Sequence, residues 1–141
     1  MNKMVLVIAA AIALSPLTLA SAQNIYLGNE QIKQTQGHQA EQSAQKAFTN
    51  LIKAIEENNY DQFISQGNAA FKAGITKELF TKVHSQFAPR IKKGYSATFL
   101  GKLNQQGYQV YLWKLTFKDR SDDVLARLSL KDGKIGGFWL N

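Results

Sequence analysis

The chain has 141 residues, no cysteine, two histidines, and 17 basic against 10 acidic side chains, for a formal net charge of +7. That length suits one ordinary domain with a core of its own. The lack of cysteine excludes disulfides and thiolate chemistry, and His38 and His84, far apart in sequence, make no metal-ligand cluster.

Residues 1–22 read as a targeting segment. Lys3 supplies the positive start, and Met4 to Leu14 is an apolar run too short to span a bilayer. Ala20-Ser21-Ala22 has the small-residue pattern of a cleavage site, so the mature chain is expected to begin at Gln23. No cysteine follows the run, which excludes bacterial lipid anchoring. The expectation is an exported protein, in the bacterial periplasm or secreted, with no membrane anchor after cleavage. Residues 23–39 are rich in Gln and Asn and poor in apolar side chains, and read as a flexible arm or linker.

The folded domain is expected over 40–141. Ala44, Ala47, Phe48, Leu51, Ile52 and Ile55 form one stripe at helical spacing, predicting a helix from about Ala40 to Glu57 that stops at Asn58-Asn59. Tyr60, Phe63 and Ile64 begin a short second helix with Asn59 as its cap. An apolar stretch, Ala69 to Ala73, ends at Gly74. Thr76 caps a third helix over Lys77 to Lys92, with Leu79, Phe80, Val83, His84, Phe87 and Ile91 on one side. Pro89 is expected to kink that helix or end it near Ala88.

From Gly94 onward the chain reads as a four-strand antiparallel meander. Asn104-Gln105-Gln106-Gly107 suits a type I turn closed by a glycine bulge, pairing Phe99 with Trp113 and Ala97 with Leu115. A polar turn at Asp119 to Asp122 pairs Phe117 with Val124 and Trp113 with Leu128. Asp132-Gly133 is a two-residue hairpin signal that pairs Lys131 with Lys134, Leu130 with Ile135, Leu128 with Gly137 and Ala126 with Trp139. Side chains alternate across a sheet, and the three turns agree on one apolar face: Tyr95, Ala97, Phe99, Tyr111, Trp113, Leu115, Phe117, Val124, Ala126, Leu128, Leu130, Ile135 and Trp139. Gly136 and Gly137 signal close backbone approach or a bulge in the last strand.

The opposite face is mixed, and Leu112, Leu125, Arg127, Phe138 and Leu140 form an apolar patch around one cation. It reads either as a homodimer interface or as a surface covered by the N-terminal segment or a helix. Arg90, Lys92 and Lys93 cluster near the end of the third helix. A basic surface on an exported protein suits envelope lipids, polymers or acidic proteins, not nucleic acid; the plain alternative is a solvated basic face.

Helices followed by strands argue an α+β fold, with helices packed on one face of a curved sheet. The stretches AAFKAGITKELFTKVHSQFAPRIKKGY and GYQVYLWKLTFKDRSDDVLARLSLKDGKIGGFWLN, taken with the first helix, make the region 40–141 resemble the nuclear transport factor 2-like (cystatin-like cone) superfamily, and within it small exported domains of unknown function. The resemblance rests on element order and the aromatic-strand, hairpin and terminal-tryptophan pattern, with no catalytic signature. It implies a pocket between helices and concave face, and often a homodimer. Isomerases, dehydratases, transport factors and accessory binding domains share this scaffold, so fold alone does not choose among them.

Isomerases and dehydratases of that superfamily work with a carboxylate or a His-Asp pair inside the cone. The predicted inner face carries no acid: Asp119, Asp122, Asp123 and Asp132 fall at turns, and Glu56 and Glu57 fall off the first helix's apolar stripe. His84 is the titratable residue inside an apolar stripe. It reads either as a base or ligand-orienting group, or as an edge-of-core residue with one satisfied hydrogen bond. The sequence carries no phosphate-binding loop, dinucleotide fingerprint, nucleophile elbow or zinc motif, and no cofactor or metal is expected.

The leading expectation is thus an exported non-enzymatic binding or interaction domain. An apolar pocket would be lined by Tyr60, Tyr95, Phe99, Tyr111, Trp113 and Trp139 and edged by His84. Its partner would be a small apolar ligand or an envelope protein, with a homodimer through the outer face. The rivals are a small cofactor-free isomerase or dehydratase-like enzyme using His84 and a tyrosine, and an envelope scaffold binding anionic surfaces.

Overall fold

The computed structural model describes residues 16–141, with side chains from Ile32 onward. The Lys3 start and Met4–Leu14 run of the expected leader lie outside the described residues. Helix α1 (Pro16–Glu56) is followed by α2 (Tyr60–Ser65), α3 (Ala69–Gly74) and α4 (Lys77–Lys93). Strands β1 (Tyr95–Gln105), β2 (Tyr108–Phe117), β3 (Val124–Lys131) and β4 (Lys134–Leu140) form one antiparallel sheet in the order β1-β2-β3-β4. The fold is α+β, as expected.

Helix α1 begins far before the expected start at Ala40, and residues 23–39, read as an arm or linker, lie within it. That stretch is polar but contains no proline, and its Gln, Glu and Lys are good helix formers. The chain divides into two compact units, one ending at Glu41 and one spanning Gln42–Asn141. The sheet, α2 to α4 and the hydrophobic core belong to the second.

Local chemistry sets the helix ends. Asn59, Asn68 and Thr76 accept N–H bonds through their side chains at the starts of α2, α3 and α4, each satisfying an otherwise unpaired donor. Proline does not end α4, which runs on to Lys93. The Ser85 carbonyl that loses its donor to Pro89 lies on an exposed residue, where water can bond it. Beyond the proline, buried Ile91 and the docking of Arg90 hold the last turn. The Arg90 guanidinium lies 3.9 Å from the Phe117 ring centroid, and Arg90 Nε donates to Ser121 Oγ at 2.8 Å.

Core residues come from α1 and the concave face: Ala44, Phe48, Leu51, Ile52 and Ile55 pack with Phe63, Phe71 and Phe80 against Tyr111, Trp113, Leu115, Leu128 and Ile135. Phe48 stacks on Trp113 with centroids 4.4 Å apart. Trp113 Nε1 donates to Gln45 Oε1 at 3.0 Å, so the buried indole keeps a partner.

The sheet register differs from the predicted one in three places. The first turn is a two-residue hairpin at Gln106-Gly107, both at positive φ (51° and 81°), and the extra residue sits instead as a bulge between Phe99 and Gly101. That bulge restores the predicted pairs Phe99–Trp113 and Ala97–Leu115. Between β2 and β3 the pairing is shifted by two: Val124 faces Leu115, not Phe117, and Leu128 faces Tyr111, not Trp113. A two-residue shift leaves every side chain on its expected face.

The third difference changes faces. Asp132 and Gly133 form the expected turn, and Leu130 pairs with Ile135, but a bulge follows, so Ser129 pairs with Gly137, Leu128 with Phe138 and Arg127 with Trp139. The extra residue reverses the alternation of the rest of β4. Phe138 and Leu140, expected on the outer face, pack against the core, and Trp139, expected inside, is on the outer face and 43% exposed.

Candidate functional site

The structure does not bring the seven expected pocket residues together. Tyr111 and Trp113 are buried in the core, 2% and 1% exposed. Phe99 packs its ring 5.6 Å from Trp113 but lies at the uncovered end of the concave face and is itself exposed. Tyr60 donates to the Ile75 carbonyl at 2.7 Å and meets Phe80 edge-on. Tyr95 and His84 line a separate polar cleft between the end of α1, α4 and the start of β1. An apolar hollow of ≈ 290 Å³ does exist between the helices and β4, but its walls include Phe63, Ile75, Phe80, Val83 and Phe138, with Trp139 at its rim.

His84 follows the edge-of-core alternative: it is half-buried, and its Nδ1 lies 2.6 Å from the Ile55 carbonyl oxygen. A carbonyl only accepts, so Nδ1 carries the proton and Nε2 of the neutral ring holds the free lone pair. Tyr95 beside it has its pKa raised, first by burial of the phenol and second by the charge of Glu56. Both effects disfavour the phenolate.

The outer face gathers the other expected residues, with one exchange. Leu112, Arg127 and Trp139 form a cross-strand row over β2, β3 and β4. Trp139 itself is exposed, as are Leu125 and Leu103 on the same face, the latter paired with Val110. Trp139 thus occupies the place that Phe138 and Leu140 were expected to fill. The Arg127 guanidinium lies 5.1 Å from the Trp139 ring centroid, and its Nε is buried with no hydrogen-bond partner among the described residues. A side chain added at Gly137 would collide with the Trp139 ring, so the absence of a Cβ there lets the indole fold back across the strand. A neighbouring depression of ≈ 500 Å³ is bounded by Tyr108, Val110, Arg127, Ser129 and Trp139. Trp139 therefore borders both the outer-face depression and the apolar hollow on the helix side of β4.

The basic cluster is split. Arg90 is spent on the loop, donating also to the Asp122 carbonyl, while Lys92 and Lys93 are exposed. Lys114 and Asp123 approach to 3.9 Å on the outer face, both half-exposed, where such a pair contributes little. Asp119 accepts from the side chain and backbone N–H of Ser121, and these bonds hold its carboxyl below the ordinary carboxylate range.

Among the described residues no group of three or more His, Cys, Asp or Glu could hold a metal ion, and no helix is long and apolar enough to cross a membrane. No family model and no curated protein matches the chain. Among solved structures, the chain is similar to an uncharacterized cystatin-fold protein from Novosphingobium aromaticivorans. The two are 16% identical, with a TM-score of 0.37 over 68% of this chain and 95% of that one.

Proposed function

We propose that this is an exported, non-enzymatic interaction domain of the nuclear transport factor 2-like superfamily, working through the outer face of its sheet around Trp139. One observation carries the reading: an aromatic side chain of the largest kind is 43% exposed at the β4 end of a Leu112–Arg127–Trp139 row, with exposed Leu125 and Leu103 on the same face. Soluble monomers seldom leave contiguous apolar surface of this sort without a use for it. Trp and Arg are the residue types most enriched at the energetic centres of interfaces. The partner in this reading is a second copy of the chain, since a sheet face carrying its own apolar row is suited to two-fold self-pairing. Superfamily membership is supported by the order of helices and strands; export is supported by the Lys3, Met4–Leu14 and Ala20-Ser21-Ala22 pattern.

Collisional quenching tests this reading, because the chain has two tryptophans in opposite states. Trp113 stays silent in the core, and Trp139 reports the face. The expected result is quenching that grows on dilution as pairs separate. Quenching independent of concentration would count against self-pairing.

A second reading has its own support in the apolar hollow beside Phe63, Phe80 and Phe138, which would take a small apolar ligand. Displacement of an apolar fluorescent probe, sensitive to Phe80→Ala but not to Leu125→Ala, would favour it.

A further inference from the structure

The polar cleft at the end of α1 is separate from the outer face and from the apolar hollow. It has a volume of ≈ 670 Å³ and is bounded by Lys53, Glu56, Glu57, His84, Lys92 and Tyr95. These groups are not equivalent. Lys53 and Glu57 are ion-paired at 3.8 Å, one helical turn apart. Glu56 and Lys92 make no ion pair among the described residues, which leaves one anion and one cation on the walls. The hydrogen bond from His84 Nδ1 to the Ile55 carbonyl fixes the ring and the tautomer of its neutral form, in which Nε2 is an acceptor with no partner among the described residues. The Tyr95 hydroxyl remains a neutral donor at physiological pH, because burial and Glu56 both oppose its ionisation.

A site with an unpaired carboxylate, an unpaired ammonium, a fixed imidazole acceptor and a phenol donor complements a molecule that itself carries both charges. We infer that the cleft bounded by Glu56, His84, Lys92 and Tyr95 binds a small zwitterion, an amino acid or short peptide. Its ammonium meets Glu56 and His84 Nε2, and its carboxylate meets Lys92 and the Tyr95 hydroxyl. A purely anionic ligand would leave Glu56 facing like charge, and a purely cationic one would do the same to Lys92. This inference does not depend on the outer-face reading.

The histidine permits a substitution that separates structure from binding. In His84→Asn, the side-chain amide nitrogen occupies the place of Nδ1 and can still donate to the Ile55 carbonyl, while the Nε2 acceptor is gone. Glycylglycine and glycine are titrated into the whole protein, following the imidazole nitrogen signals and the heat of binding. The expected result is a shift of the His84 Nε2 signal on addition of glycylglycine. His84→Asn should keep the thermal midpoint of the wild type and lose the binding. Glu56→Gln and Lys92→Met should each weaken binding about tenfold, the loss of one charge-assisted hydrogen bond. Lys92 is exposed and Glu56 only half-buried, so these two variants decide the matter if His84→Asn does not fold. No shift with either probe, or binding that survives both charge removals unchanged, would overturn the inference.

Discussion

Phe48 lies flat against Trp113, ring centroids 4.4 Å apart and planes 11° from parallel, at the point where α1 crosses the concave face of the sheet. Both rings are essentially buried, at 1% exposure each. The contact puts the protein's own side chains where the ring of Trp113 was expected to meet a ligand.

Replacing Phe48 with Ala should therefore act on stability. The change leaves a hole beside Trp113 and also removes the edge contact to Phe138, 6.3 Å away between centroids. A loss of about 3–5 kcal/mol is expected for a phenylalanine deleted from a packed core. Equilibrium denaturation, followed by the fluorescence of Trp113, measures it. A loss below about 1 kcal/mol would mean that the site is not close-packed.

Gly137→Ala should disturb the outer face. The new methyl group meets the Trp139 ring, which must swing away from the strand and from Arg127. The expected signature is a red-shifted, more quenchable Trp139 with the core emission of Trp113 unchanged. An unaltered spectrum would show that the indole does not fold across Gly137.

Much of this architecture was legible in the sequence, and what was not has physical causes. The apolar stripe of α1, the caps at Asn59 and Thr76 and the Asp132-Gly133 turn depend on neighbours a few residues apart, and each sits as predicted. The fate of Phe138, Trp139 and Leu140 depended on one extra residue within Gly136-Gly137. The two glycines signal close backbone approach or a bulge, and the bulge is there, but neither has a side chain to declare its face, so the alternation does not show that parity reverses. The two-residue shift between β2 and β3 was equally invisible, because it preserves parity. Residues 23–39 lack an apolar stripe, and a polar helix looks like a polar linker to a reading based on periodicity. Glu56 falls off the apolar stripe of its helix, so periodicity alone marks it as a surface residue. The cleft it borders with His84 and Tyr95 forms at the edges of three elements, and such edges leave no pattern in any one of them.

Arg127 separates stability from association. Its Nε is buried without an acceptor among the described residues, a cost of order 1–3 kcal/mol for a polar group left unpaired. Arg127→Met keeps most of the apolar stem against Trp139 and removes that cost. The folded protein should be as stable as the wild type or more so, by up to about 2 kcal/mol, while self-association weakens. A clear loss of stability would show that the guanidinium contributes to the fold through its stacking on Trp139.

Tyr95 gives a pH dependence with a definite sign. Its folded-state pKa is raised above the ordinary phenol value, by burial first and by Glu56 second. The neutral phenol is therefore the form the fold favours. Its contribution is fully present below the unfolded pKa of about 10 and is lost as pH rises through the higher folded pKa. Alkaline unfolding curves should show stability falling above about pH 10, and Tyr95→Phe should flatten part of that fall. Identical curves for the two proteins would remove Tyr95 as a cause.

Sedimentation equilibrium of the wild-type protein and of Trp139→Ala, across a wide range of concentration, tests the central claim most directly. The account predicts a reversible dimer for the wild type and a monomer for Trp139→Ala, with both proteins equally well folded. A wild-type protein that stays monomeric at every concentration, or a Trp139→Ala variant that pairs as well as the wild type, would contradict it.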